Sequence, residues 1–212
     1  MKYTFGYIEH NKEVHDKYLG PSMANLTEPY LELTTSDEKF PAENYNDLID
    51  RCETDYLILT HQDVSFPSNL LNQIEETIKH VPDWGVLGMV GVDVNRVYRW
   101  SEFDKLYEVD TLDCCFIVIR KDSPARFDTQ IFDEYHLYVE DFCAQMKRLH
   151  NKTNYTIAIN SGEILDINYN PNLPVKQLSH HSATVSKRGY CWGRYSEFRQ
   201  KLENKWPSIK TT

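Results

Sequence analysis

Nowhere does the 212-residue chain hold an apolar run near the roughly 20 residues that a bilayer-spanning helix needs. Its opening Met-Lys-Tyr-Thr-Phe-Gly has no apolar signal-peptide core, so a soluble, cytoplasmic protein is expected. It also lacks a dense Lys/Arg stripe: 32 acidic against 23 basic residues give a formal charge of -9. A surface of that sign repels a phosphate backbone and excludes nucleic acid as a partner. A small phosphate-bearing ligand stays allowed, because a bound divalent cation can neutralise it. The five cysteines (Cys52, Cys114, Cys115, Cys143, Cys191) show no metal-ligand spacing and read as reduced, mostly buried thiols. No His-Glu-x-x-His arrangement is present, which argues against a zinc hydrolase. The three Asn-x-Thr sequons, at Asn25, Asn151 and Asn154, are then chance matches. The turn after the first strand signal reads Ile8-Glu9-His10-Asn11, not the Gly-rich basic loop of a nucleotidyltransferase. With no repeat, low-complexity tract or linker, residues 1–212 read as one unit, long enough to bury roughly 70% of its unfolded surface.

Strand and helix signals alternate through the first ninety or so residues. Tyr3 to Glu9 reads as a strand, and Val14, Tyr18 and Leu19 carry a helical stretch. Leu31 and Leu33 alternate with Glu32 and Thr34 in a second strand from Tyr30 to Thr35. Pro41 opens a helix that runs through Leu48 and Ile49. Asp55 to Thr60 contains Tyr-Leu-Ile-Leu, the continuous apolar run of a strand covered on both faces. Leu70, Leu71, Ile74, Ile78 and Val81 form a helical stripe, and Gly85 to Val94 is again β-rich. This order predicts an α/β domain with a mainly parallel sheet, whose ligand sites lie at the carboxyl ends of the strands. Beyond about residue 94, shorter strands are expected over Val97–Trp100, Leu106–Val109 and Cys114–Ile119. A helix from about Val139 carries Phe142, Met146 and Leu149, and a last strand covers Tyr155–Ile159. A terminal helix presents Tyr195, Phe198, Leu202 and Trp206 on one face.

Three groups of residues could carry chemistry. His61-Gln62-Asp63-Val64 directly follows the buried strand, so the Asp63 carboxylate projects into the crevice where Mg²⁺ or Mn²⁺ could bridge it to a diphosphate. Equally, Asp63 could cap a helix starting near Pro67. Phe132-Asp133-Glu134 and then Val139-Glu140-Asp141 open a helix, where the macrodipole keeps a carboxylate ionised and able to accept a proton. Acidic residues in a first turn are also ordinary caps. Ser179-His180-His181-Ser182 offers neutral imidazoles to a metal, or simply a polar loop. Trp84, Trp100, Trp192 and the 14 tyrosines suit either sugar stacking or core packing.

Taken in order, these segments resemble the GT-A glycosyltransferases, in particular the inverting family-two-like group. The resemblance rests on Glu43-Asn44-Tyr45-Asn46 ahead of Tyr-Leu-Ile-Leu, on His61-Gln62-Asp63-Val64 as a variant of the Asp-x-Asp motif, on Phe132-Asp133-Glu134, on Glu140-Asp141 and on His180-His181. It spans residue 3 to Trp206 and implies a GT-A fold: a Rossmann-like, mostly parallel central sheet with flanking helices and a smaller mixed sheet on the acceptor side. Residues of about 1–93 would form the nucleotide-sugar half and those of about 94–212 the acceptor half. The resemblance further implies a metal-dependent transfer of a sugar from a nucleotide-diphosphate donor, UDP- or GDP-linked, to a glycan hydroxyl, with inversion. Asp63 would bind Mn²⁺ or Mg²⁺ with His180 and with His61 in place of the usual first Asp. Asp141 would be the general base with Glu140 beside it. Tyr7, Glu9, Thr34, Thr35, Asn46, Gln62 and His181 would meet the donor, and Asp113 and Glu134 the acceptor side. A non-catalytic nucleotide-sugar or carbohydrate-binding domain is the alternative; the acid at position 141 speaks against it.

Overall fold

The computed structural model describes residues 1–95, 97–98, 106–133, 136–157 and 194–211. In chain order its elements are β1 (Tyr3–Glu9), α1 (Lys12–Lys17), α2 (Leu19–Ala24), β2 (Leu31–Ser36), α3 (Pro41–Arg51), β3 (Tyr56–Thr60), α4 (Leu70–His80), β4 (Trp84–Gly88), β5 (Gly91–Val92), β6 (Val97–Tyr98), β7 (Glu108–Val109), β8 (Thr111–Leu112), β9 (Phe116–Arg120), α5 (Tyr138–Leu149), β10 (Thr153–Thr156) and α6 (Tyr195–Lys205).

Seven strands form the central sheet in the order β2-β1-β3-β9-β4-β10-β7. β2, β1, β3, β4 and β10 share one direction, while β9 and β7 run against it. A separate sheet, β6-β5-β8, is antiparallel throughout. This is the mostly parallel α/β architecture that the alternating signals predict, with its small second sheet. The central strands are apolar without alternation because both faces are covered: Leu57, Ile58 and Leu59 of β3 and Phe116, Ile117, Val118 and Ile119 of β9 are all fully buried. α3 packs against β1 and β2, and α5 against β4, β8 and β10.

The helices follow their local chemistry, with two departures from expectation. α3 starts at Pro41, and the Glu43 carboxylate accepts the Phe40 N–H at 3.3 Å, a first-turn arrangement that needs no donor from proline. The single helix expected over Val14–Leu19 is instead two short ones, because Tyr18 leaves helical geometry (φ -123°, ψ -71°) between them. On α5 the inward stripe is Tyr138, Phe142 and Met146, while Leu149 is 63% exposed in the last turn. Trp84 is core, 1% exposed with the Arg120 guanidinium over its ring, and so presents no sugar-stacking face. Trp100 and Trp192 lie outside the described residues. Among the described residues, no helix is long and apolar enough to cross a membrane.

β9 connects the two parts of the sheet, pairing with β3 from Tyr56↔Arg120 to Thr60↔Phe116 and with β4 at Leu87↔Val118 and Gly88↔Ile117. Replacing its fully buried Ile117 by Ala leaves a cavity between two hydrogen-bonded neighbours. Ile117→Ala should lower the unfolding free energy by about 3–4 kcal/mol, read as a fall in the urea midpoint at an unchanged m-value. A loss under 1 kcal/mol would show that β9 is not the packing centre.

Candidate functional site at the strand carboxyl ends

Three chain segments meet at one end of the sheet. β1 ends at Glu9, β2 at Ser36 and β3 at Thr60; because β9 runs antiparallel to β3, its start lies at this same end. The His61 N–H donates to the Cys115 carbonyl at 3.0 Å, joining the residues after β3 to those before β9. α5 begins nearby, its Tyr138 hydroxyl hydrogen-bonded with the Cys114 thiol. Its first turn therefore turns the positive end of a helix dipole toward the strand ends.

Gln62 holds the local backbone. It is 1% exposed, and its Oε1 accepts the N–H groups of His10 at 3.0 Å and Asn11 at 2.9 Å, fixing the turn after β1 onto the end of β3. Asp113 Oδ1 accepts the Cys115 N–H at 2.9 Å, setting the entry into β9. Thr35 Oγ1, His61 Nδ1, Gln62 Nε2 and both carboxylate oxygens of Asp63 are buried with no hydrogen-bond partner.

That concentration is not ordinary core chemistry. A buried carboxylate with neither oxygen satisfied is among the most expensive groups a fold can carry. Burial pushes the Asp63 carboxyl up to about 7; the residue's own backbone N–H pulls the other way, and the Asp113 charge adds to the rise. Burial likewise pushes His61 down to about 4, with Asp113 pulling the other way and His10 adding to the fall. His61 is therefore neutral at pH 7, the form that binds metals. Helix capping does not account for Asp63: α4 starts at Leu70 behind Asn69, and Asp63 makes no capping bond. Two free carboxylate oxygens beside an unpartnered imidazole nitrogen fit an oxygen-seeking divalent cation. Among the described residues, no three His, Cys, Asp or Glu side chains converge as a complete metal site. His180 and His181, expected near it, lie outside the described residues, as does Glu134.

The structure separates the two acids of α5. Asp141 is fully buried: Oδ1 accepts the Trp206 Nε1–H at 2.6 Å and pairs with Lys205 Nζ at 2.8 Å, while Oδ2 accepts from Gln145 Nε2 at 2.8 Å. Both oxygens are committed to the C-terminal helix and its own turn. The expectation that Asp141 is a base open to an acceptor is corrected accordingly. Glu140, 4% exposed, lies on the other side, close enough to Cys114 to help raise its thiol well above the ordinary range, after burial itself and Asp113.

Two expected donor contacts are also committed elsewhere. Asn46 pairs twice with the Phe127 backbone, donating Nδ2 to the carbonyl at 2.9 Å and accepting the N–H on Oδ1 at 3.0 Å. The Tyr7 hydroxyl donates to Glu32 and meets His15 Nε2 at 3.2 Å, with the Tyr7 ring stacked on that imidazole. These two side chains tie elements together and have no polar group left for a nucleotide. Glu9 and Thr34 stand at the ends of β1 and β2, and the Thr34 carbonyl accepts from Arg51 at 3.1 Å. Sequence reasoning passed over His10, although it follows β1 just as His61 follows β3. Its Nδ1 sits 3.1 Å from the Ile8 carbonyl, and it lies close enough to influence His61. The strand-end rule that selected His61 applies to His10 equally.

Comparison with known proteins places this geometry in a fold. No protein-family model matches the chain, and no curated protein matches it by sequence. Solved structures of Staphylococcus aureus TarS do match by fold. TarS 1-349 in complex with UDP-GlcNAc aligns with a TM-score of 0.54 and 15% identity over 100% of this chain and 68% of that one. The UDP complex gives 0.54 and 16% over 76% and 59%, and TarS 1-349 alone gives 0.51 and 17% over the same shares. In those two alignments the chain spans 59% of the TarS fragment's length. The shared architecture is the GT-A glycosyltransferase fold.

The unpartnered Asp63 has a thermodynamic signature. Its folded-state pKa of about 7 lies above the ordinary 3.8, so the folded protein holds a proton that the unfolded chain releases. The stability this contributes is complete below about pH 4 and disappears as pH rises through 7. Asp63→Asn should therefore stabilise the protein at pH 8 in EDTA by about 2 kcal/mol after allowing for residual solvation, read as a higher melting temperature, and change it little below pH 4. Scanning calorimetry of both proteins at the two pH values checks this; a difference independent of pH would contradict the buried, unpartnered carboxylate.

Proposed function

We propose that the chain is a glycosyltransferase that moves a sugar from a nucleotide-diphosphate donor, UDP-linked, to a hydroxyl acceptor with inversion. One observation carries the reading: a strand-end carboxylate with both oxygens buried and unpartnered, on a fold whose TarS examples hold UDP and UDP-GlcNAc. A nucleotide diphosphate with its divalent cation supplies what Asp63 lacks. Residues of about 1–93 would then serve the donor and those of about 94–212 the acceptor.

Asp63, with His61 beside it and His180 as a further candidate ligand, would hold Mn²⁺ or Mg²⁺. When bound, that ion would offset the charge of the donor's diphosphate. Thr35 Oγ1 and Gln62 Nε2 are the unpartnered polar atoms nearest the nucleotide side, at the ends of β2 and β3. Glu140, at the positive end of α5, takes the proton from the acceptor hydroxyl. The acceptor oxygen forms its bond to the anomeric carbon as the bond to the diphosphate oxygen breaks, and that electron pair leaves with the nucleotide. A single displacement of this kind inverts the anomeric centre. Asp113, whose charge raises both the Asp63 carboxyl and the Cys114 thiol, would face the acceptor side.

The non-catalytic alternative gains one observation, the commitment of Asp141 to α6, and turnover separates the two readings. Calorimetric titration of UDP, GDP and dTDP should show binding of UDP that requires Mn²⁺ and weakens about 100-fold in Asp63→Ala. Failure of all three nucleotides to bind with metal present would sink the transferase reading. For the base, Glu140→Gln should lower kcat for UDP-sugar turnover by about 10²–10⁴ while leaving the UDP affinity nearly unchanged. Asp141→Asn should instead act mainly on stability, at a cost of about 3 kcal/mol, because it leaves the Lys205 charge poorly paired. Loss of turnover without loss of stability in Asp141→Asn would return the base to position 141. Nucleotide binding without any turnover would favour the binding domain.

A further inference from the structure

The entry into α5, at Phe132, His136 and Asp141, is gripped from one side by the C-terminal helix. Phe132 and His136 lie against the Phe198 ring at centroid distances of 6.2 and 5.8 Å, and His136 meets Tyr195 edge-on at 5.5 Å. Lys205 Nζ joins Asp128 at 2.7 Å to Asp141 at 2.8 Å, so one ammonium ties the loop ahead of Phe132 to the first turn of α5. Trp206 adds its indole N–H to the same Asp141 oxygen. Two further features show that the stretch is held and not relaxed. Leu137, immediately before α5, has φ 59°, a left-handed geometry that a branched residue adopts only under constraint. The Leu137 carbonyl nonetheless accepts the Asp141 N–H at 3.0 Å, so the strained residue is built into the first turn.

Adjacent residues on a helix point about 100° apart. A contact that fixes the direction of Asp141 therefore fixes that of Glu140 as well. We propose, on the basis of the transferase reading, that Lys205 and Trp206 are positioning residues. By locking Asp141 they set the rotation of α5 that directs Glu140 to the strand ends, and they hold Leu137 in its left-handed conformation. The chemistry of the pair suits the task. The planar indole gives one directed bond, and the ammonium supplies an opposite charge that holds a fully buried carboxylate in place. The acid that sequence order marks as the base is on this account the fixed point against which its neighbour is aimed.

The test is steady-state kinetics of UDP-sugar turnover, with UDP affinity by calorimetry, on wild type, Trp206→Phe, Lys205→Met and Lys205→Arg. Trp206→Phe keeps the packing and removes only the directed donor. The expected result is a kcat lowered about tenfold or more in Trp206→Phe and Lys205→Met. The donor KM and UDP affinity should stay within about twofold, and Lys205→Arg should recover most of kcat because the charge is restored. If Lys205→Met fails to fold, Trp206→Phe and Lys205→Arg decide alone. A reduced melting temperature with wild-type kcat in Trp206→Phe would overturn the proposal and leave α6 a purely structural brace. Parallel loss of UDP affinity and kcat would also overturn it, since the damage would then reach the donor site. Absence of turnover in the wild type is a different outcome, and it defeats the transferase reading itself.

Discussion

β9 runs against its neighbours and is hydrogen-bonded to both, and the placement of the functional residues depends on that insertion. Had it been parallel, its leading residues would lie at the opposite end of the sheet from His61–Asp63. Being antiparallel, it returns Asp113, Cys114 and Cys115 to the carboxyl ends of β1 and β3, where the His61 N–H closes onto the Cys115 carbonyl. The apolar β3 and β9 interiors leave their polar residues nowhere but the ends, so burial itself sorts chemistry to one edge of the core.

At that edge the fold gathers a cost that elsewhere it carries at scattered single atoms, among them Tyr3 Oη, Gln73 Oε1 and Asn154 Oδ1. The backbone groups around Gln62 and Asp113 are satisfied, while the Asp63 carboxylate, His61 Nδ1, Gln62 Nε2 and Thr35 Oγ1 are left bare. Surface ion pairs such as Lys12–Asp16 or Lys79–Glu76 offset little of this, being exposed and screened. Such bare groups are the ones that a ligand of the proposed kind would complete.

Much of this was legible in the chain itself, for physical reasons. The run Tyr56–Thr60 has to be a doubly covered strand because nothing polar interrupts it, and Pro41 and Glu43 mark the start of α3 by their own capping chemistry. Asp63 followed from its position after that strand. What stayed hidden depends on pairings remote in sequence. Neither the direction of β9, nor the double bond from Asn46 to the Phe127 backbone, nor the capture of Asp141 by Lys205 and Trp206 leaves a local pattern. The motif order marked Glu140-Asp141 as a pair, but the partners that occupy Asp141 lie more than fifty residues later, at Lys205 and Trp206. The break at Tyr18 is a local event of a single residue, below the resolution of periodicity.

The central claim is that Asp63 is unsatisfied because it awaits a cation and a nucleotide diphosphate. Anomalous diffraction at the manganese edge, from crystals grown with Mn²⁺ and UDP, tests it most directly. The account predicts one strong peak within coordination distance of the Asp63 carboxylate, about 2.0–2.3 Å, with the diphosphate against it and the uridine toward the ends of β1 and β2. A metal peak elsewhere with Asp63 still bare, or UDP bound on another face, would contradict it.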